Sequence, residues 1–248
     1  MRKIVLGVMA VLVLFILGIV GLMVSTFSGL APVTPRTELP NGVIGVADGY
    51  VQLFIIPLGE DGAALIDCGQ DPEAKVVREE LAKSKRTVKA IFLTHGHSDH
   101  IGGCKAFSGV EIYSLAAEKP VVEGEVAARG PMPRFAKNDP AKAPRVTHTL
   151  NDGETVTLGE TTVRAFAVPG HTGGSAAYLS KGNLFLGDAA SGQADGKLRN
   201  APWFFSDDTA ASEQSLRTLA KTLAGEDVQA LVFAHSAPLR SFDALKQF

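Results

Sequence analysis

Thr94-His95-Gly96-His97-Ser98-Asp99-His100 sets four potential metal ligands within six residues, directly after the apolar run Ala90 to Leu93. On a regular strand or helix four such side chains cannot converge. A loop leaving a strand end can fold them towards one point, and Gly96 permits the tight backbone this needs. Three more candidates occupy matching positions: His171 behind Ala165 to Val168 and Pro169-Gly170, Asp188 behind Leu184 to Gly187, and His235 behind Leu231 to Ala234. Of the six histidines only His148 stands outside this pattern, which scattered polar residues, each with its own local hydrogen bonds, would not produce. Imidazole and carboxylate donors without thiolate suit Zn²⁺, Mn²⁺ or Fe²⁺. Seven donors exceed the four that one tetrahedral zinc takes, so two metals are implied.

Outward from this stretch the chain alternates short apolar runs with turns. Gly42 to Ala47, Val51 to Leu58 and Ala63 to Ile66 are separated by Asp-Gly turns and read as a strand meander. Pro72 to Lys85 reads as an amphipathic helix capped by Asp71, with Pro72 at its first position and Val76, Val77 and Leu81 on one face. Val88 to Leu93, Val110 to Tyr113, Val146 to Leu150, Thr155 to Leu158, Thr161 to Val168, Ala176 to Leu179, Leu184 to Leu186 and Val228 to Phe233 read as strands. Helices are expected over Ile101 to Phe107, Ala116 to Val122 and Asp208 to Leu223. Many strands and few helices point to two sheets covered by helices rather than a doubly wound parallel sheet.

The 248 residues are 46% hydrophobic and 20% charged, which excludes disorder and leaves enough apolar sequence for a core. With Arg2 and Lys3 set aside, 26 acidic residues outnumber the remaining basic ones, so no global field favours nucleic acid. The positive mean hydropathy of +0.15 traces to Ile4 to Val24, which has no charged side chain. As a helix this run spans about 30 Å, one hydrocarbon core, and it exceeds the usual apolar region of a signal peptide. Residues 1–27 are therefore expected to form a membrane anchor, or a signal segment if cleaved near Thr26-Phe27-Ser28. Arg2 and Lys3 place its start in the cytoplasm and everything after Phe27 outside; after cleavage the domain would be secreted or periplasmic. Residues 28–41, with three prolines, read as a linker, and 42–248 as one domain.

At the motif His95, His97, Asp99, His100 the chain resembles the metallo-β-lactamase superfamily and its H-x-H-x-D-H signature. The resemblance runs over 42–248 and includes Asp67 in Leu65-Ile66-Asp67-Cys68-Gly69, Pro169-Gly170-His171-Thr172, Gly187-Asp188 and the late His235, in the family's order. It implies an α+β fold, an αββα sandwich, here preceded by one N-terminal transmembrane helix. One zinc would take His95, His97 and His171 and the other Asp99, His100 and His235, with Asp188 bridging and Asp67 supporting the histidine loop; iron or manganese could replace zinc. Asp99 and Asp188 are the candidate catalytic carboxylates. Two such metals can hold one hydroxide between them and polarise a carbonyl, so the expected activity is hydrolysis of an ester, thioester, lactone or related bond. No Gly-x-Ser-x-Gly elbow is present to offer a serine nucleophile.

Cysteine-ligand β-lactamases lack both His100 and the bridging aspartate, so the chain looks more like glyoxalase II and the lactonases. A mononuclear iron persulfide dioxygenase-like oxidoreductase and a β-lactamase are the alternatives, and the superfamily's nucleases carry extra domains or basic arms absent here. The substrate is a small molecule whose contacts the sequence does not identify. Loops Gly124 to Pro144 and Ala189 to Ser206 should flank the metals, with Ala201-Pro202-Trp203-Phe204-Phe205 as an apolar wall and Arg199, Lys197 and Arg134 as anion contacts. Cys68 and Cys104 flank site segments and read equally as a disulfide or as two buried thiols. Oligomeric state is not legible.

Overall fold

The computed structural model describes residues 2–248, with the side chains of residues 2–8 and 10 outside the description. A first sheet forms from β1 (Arg36–Glu38), β2 (Ile44–Asp48), β3 (Val51–Leu58), β4 (Gly62–Ile66), β5 (Thr87–Phe92), β6 (Glu111–Leu115) and β7 (His148–Leu150), in that spatial order. Its first four strands pair antiparallel, and β4 to β7 run parallel. The second sheet has the order β14-β11-β10-β9-β8, from β8 (Thr155–Leu158), β9 (Thr161–Ala167), β10 (Ala176–Ser180), β11 (Asn183–Phe185) and β14 (Ala230–Val232). Here β9 and β11 each pair antiparallel with β10, and β14 pairs parallel with β11, so β9, β11 and β14 run the same way.

Strand alternation sorts the apolar residues into three layers. Ala64 and Ile66 of β4 face the second sheet, where Phe54, Phe92 and Tyr113 meet Val163, Tyr178, Phe185 and Val232. Ala63 and Leu65 face the opposite way, onto Val77 and Leu81 of α2 (Lys75–Ser84). The outer face of the second sheet is covered by Leu216 and Leu219 of α5 (Thr209–Thr222) and Leu245 of α6 (Asp243–Lys246). The result is the expected αββα sandwich. Short helices α3 (Ser98–Ile101) and α4 (Lys119–Val122) lie along one edge, and β12 (Ala190–Gly192) with β13 (Leu198–Asn200) forms a separate hairpin.

Several local readings are revised. The helix expected from Pro72 begins at Lys75, because the Asp71 carboxylate accepts from the backbone N–H of Glu73 and Lys75 and makes a turn there instead of a cap. Ile101 to Phe107 is not one helix but α3 followed by a 3₁₀ turn at Cys104–Ala106. Within 28–41, β1 pairs with β2, Leu30 bridges Gln193, and Ala31 N donates to Gly192 O. This stretch is pinned to the sandwich by its backbone. The N-terminal segment is a helix, α1 (Arg2–Phe27). Among the described residues no helix is long and apolar enough to cross a membrane. The membrane span expected over Ile4 to Val24 therefore has no support from the described residues, and its basic flank, Arg2 and Lys3, has side chains outside them.

Candidate metal centre

All seven donors expected from the sequence lie at one edge of the sandwich, where the strands carrying them end. His95, His97, Asp99 and His100 follow β5; His171 follows β9, Asp188 follows β11 and His235 follows β14. The common direction of β9, β11 and β14 puts their outgoing loops side by side. Two cross-sheet hydrogen bonds, Ala176 N to Thr94 O at 2.8 Å and Tyr178 Oη to Leu93 O at 2.8 Å, hold the β5 loop against them. Gly96 is required by close approach: a Cβ there would sit 2.8 Å from Val122 N. Gly187 has φ of +53°, and a Cβ would lie 2.7 Å from the Thr94 side chain, so the turn that delivers Asp188 also admits only glycine.

Three groups of converging donors result: His95, His97 and His171; His95, His100 and Asp188; Asp99, His100 and His235. In the first, Thr94 Oγ1 donates to Asp67 at 2.7 Å and so accepts the Nδ1–H of His95 at 3.1 Å. Ser206 Oγ donates to Pro202 O at 2.7 Å and accepts the Nδ1–H of His171 at 3.1 Å. Both rings thus present Nε2 lone pairs inward, 3.2 Å apart, with His97 Nδ1 3.0 Å from His171 Nε2. Neutral lone pairs that close repel unless a cation lies among them, so the donor set fits a metal.

The second cluster has the same construction. His100 donates Nδ1–H to Asp67 Oδ2 at 2.8 Å, and His235 donates Nδ1–H to the Tyr50 carbonyl at 2.9 Å. Their Nε2 atoms turn towards carboxylates: His235 lies 3.2 Å from Asp188 and 3.4 Å from Asp99. His100 Nε2 and Asp188 Oδ1 are 3.5 Å apart, yet each is buried without a hydrogen-bond partner. Asp188 Oδ2 also lies 3.5 Å from His171 Nε2, so this one carboxylate reaches both clusters.

Electrostatics separate the two. Burial pushes His95, His97 and His171 down, His171 to about 3, so these imidazoles are neutral. Burial also opposes charge on His100 and His235, but Asp188 and its neighbouring carboxylates hold His100 well above the ordinary imidazole range and His235 at about 10. Burial favours a protonated Asp99, yet the histidines beside it bring it down to about 2, and His235 and His100 similarly hold Asp188 well below the carboxylate range. A divalent cation would take the place of the shared protons.

Two supporting residues carried no sequence signal. Buried Glu118 accepts from Gly96 N at 2.8 Å, Thr172 Oγ1 at 2.8 Å and Gly174 N at 3.0 Å, tying the β5 loop to the His171 loop. Asp207 accepts from Gly130 N at 2.8 Å and Gly173 N at 3.1 Å, fixing residues 124–144 beside the same loop. The three cations expected as anion contacts are engaged elsewhere. Arg134 donates to the Gly130 and Arg129 carbonyls, Arg199 to the Thr26 carbonyl, and Lys197 pairs with Asp195. Cys68 and Cys104 form a disulfide, which leaves no thiol for nucleophilic or ligand chemistry. His148, outside the pattern, pairs with Glu111 away from the centre.

A sandwich with seven such donors at one edge defines a metallohydrolase-type fold, and the chain belongs to the metallo-beta-lactamase superfamily, which matches residues 47–235. It is 34% identical over 158 residues to a hydroxyacylglutathione hydrolase of Gloeobacter violaceus, covering 61% of this chain and 52% of the relative. The corresponding enzyme of Salmonella paratyphi A is 30% identical, with coverage of 64% and 53%. The chain thus spans about half the length of these curated relatives. Among solved structures, a B3 metallo-beta-lactamase with an active-site glutamic acid superposes with a TM-score of 0.64 at 20% identity, covering 91% of this chain and 88% of the other. MIM-1 from Novosphingobium pentaromativorans gives 0.64 at 22%, covering 88% and 86%. At these identities the structural likeness establishes the fold.

Proposed function

We propose that the chain is a dinuclear metal hydrolase, with zinc as its resident metal, acting on an ester, thioester or lactone. The observation that carries this is Asp188, whose two oxygens reach His100 and His235 on one side and His171 on the other. His95, His97 and His171 would hold one cation, and Asp99, His100 and His235 the other. When bound, the cations supply Lewis acidity that activates water and polarises the scissile carbonyl. The protein's own part is to keep three imidazoles neutral and two carboxylates ionised. Asp99, at about 2, is ionised at neutral pH and so would enter the second donor group as a carboxylate without giving up a proton. The chain's serines are not needed as nucleophiles, and its cysteines are locked together.

The curated relatives are hydroxyacylglutathione hydrolases, which supports a thioester or ester carbonyl as the reacting group. Metal analysis of the purified full chain should give about two equivalents, with turnover of simple esters, thioesters or lactones lost on chelation. One equivalent of iron and oxygen-dependent activity would replace this reading with a dioxygenase.

The same reading includes an N-terminal anchor with the catalytic domain on the outer side. It is supported by the apolar run Ile4 to Val24, by its basic flank, and by a disulfide of the kind that persists in oxidising compartments. A reporter fused after Phe248 should be active only when exported. Protection of the domain from external protease in intact cells, with exposure in inverted membranes, would reverse the topology.

A further inference from the structure

Large apolar side chains left exposed among the described residues are not scattered. They lie on α1, from Met9 to Phe27, or on Tyr50, Val126, Met132, Phe135 and Trp203. Tyr50 and Trp203 of the second set are connected to the metal centre through a run of aromatic rings. Tyr50, at the β2–β3 turn, stacks on the His235 ring at 5.8 Å. Phe27, the last residue of α1, meets the same ring edge-on at 6.5 Å and Phe205 at 6.4 Å. From Phe205 the apolar surface continues through Phe204 to Trp203, and Met132 N donates to Phe204 O, which sets the backbone of the turn carrying Met132 and Phe135 beside this run. Trp203 is 61% and Phe135 82% exposed.

Such a concentration needs an occupant. The patch is continuous with the end of α1, whose side chains from Val11 to Val20 are exposed and apolar on every side, a surface that suits lipid chains better than water or one protein face. Indole and phenol rings at the end of an apolar helix are the side chains that settle at a bilayer interface. The link is also fixed. Arg199 holds the Thr26 carbonyl at 3.1 Å, and Ala194 N holds Gly29 O at 3.0 Å, so the mouth keeps its place beside the helix end.

Resting on the reading of α1 as an anchor, we propose that the mouth of the metal centre lies against the bilayer surface, with Trp203, Phe135 and Met132 dipped into it. Its substrate is then an amphiphilic acyl ester or thioester, the carbonyl at the metals and the acyl chain along this rim.

Trp203 is the only tryptophan, so its emission reports on this patch alone. The full chain reconstituted into phosphatidylcholine vesicles should show blue-shifted Trp203 emission, quenched about twofold or more when the lipid acyl chains carry bromine. A chain retained by vesicles with unquenched, water-exposed Trp203 overturns the docking and leaves the anchor standing. A chain washed off by alkaline carbonate overturns both. Emission that responds to protein concentration in detergent and not to bromolipid would assign the patch to a second copy of the chain. With esters, kcat/KM should rise by about tenfold or more from butyryl to dodecanoyl, and Phe135→Ser should shrink that ratio. A flat chain-length profile overturns the amphiphile assignment. If neither ester turns over, the hydrolase reading fails and quenching of Trp203 alone decides the docking.

Discussion

The Asp67 carboxylate accepts the Nδ1–H of His100 at 2.8 Å, with both side chains withdrawn from solvent. The same carboxylate takes Thr94 N at 2.8 Å and Thr94 Oγ1 at 2.7 Å, and through that hydroxyl it orients His95 as well. One aspartate therefore sets the tautomer of a donor in each cluster. Asp67 has φ of +60°, a conformation asparagine tolerates, so Asp67→Asn should fold while losing the negative acceptor. Metal affinity, read by competition with a chromophoric chelator, should fall by about 10–100-fold.

His97→Ala and Asp188→Ala should each lower ester or thioester turnover by about a hundredfold or more while circular dichroism stays native. They should differ in metal content. His97 belongs to one donor group only, so its loss should release about one equivalent, whereas Asp188 reaches both and its loss should weaken the pair. Full activity in both variants would remove the metal mechanism.

Glu118 gives a pH signature. Burial raises its carboxyl to about 7 from an ordinary 4.5, so the folded chain holds a proton there that the unfolded chain releases. The associated stability is fully present below 4.5 and is lost as pH rises through about 7, a change on the order of 1–3 kcal/mol. Glu118→Gln cannot titrate. Thermal unfolding of the chelated proteins on the acid and alkaline sides of this window should show the wild type losing more stability than the variant, although the variant starts lower because an amide nitrogen cannot accept from Gly96 or Gly174.

The Cys68–Cys104 bridge closes a separation of 36 residues and joins the segment after Asp67 to the turn after His100. Replacing both cysteines with alanine should cost about 2–4 kcal/mol in chemical denaturation, mostly by freeing the unfolded chain. Both sulfurs are buried, so mild reductant should leave the folded protein unaffected until it unfolds.

The strands of the sandwich were legible because they are short apolar or β-branched runs bounded by turns; Val51–Leu58 and Thr155–Leu158 match their sequence reading residue for residue. β1, β12 and β13 were not, since Arg-Thr-Glu, Ala-Ser-Gly and Leu-Arg-Asn have no apolar alternation and exist as strands only through the backbone pairing of β1 with β2 and of β12 with β13. Similarly, the donors stood out by residue type at strand ends, whereas Glu118 and Asp207 act on backbone N–H groups that any sequence supplies. Tyr50 was hidden for another reason: it reaches His235 from a turn 185 positions away.

Each of the three donor groups mixes residues from the two sheets, because His95 to His100 leave the first and His171, Asp188 and His235 leave the second. A chain synthesised only as far as β7 carries a histidine loop with nothing opposite it. The centre is thus complete only once the two sheets have closed on each other, and metal capture reports that closure. Fragments ending and beginning between β7 and β8 would each be incomplete as chelators, and divalent cation should draw them together.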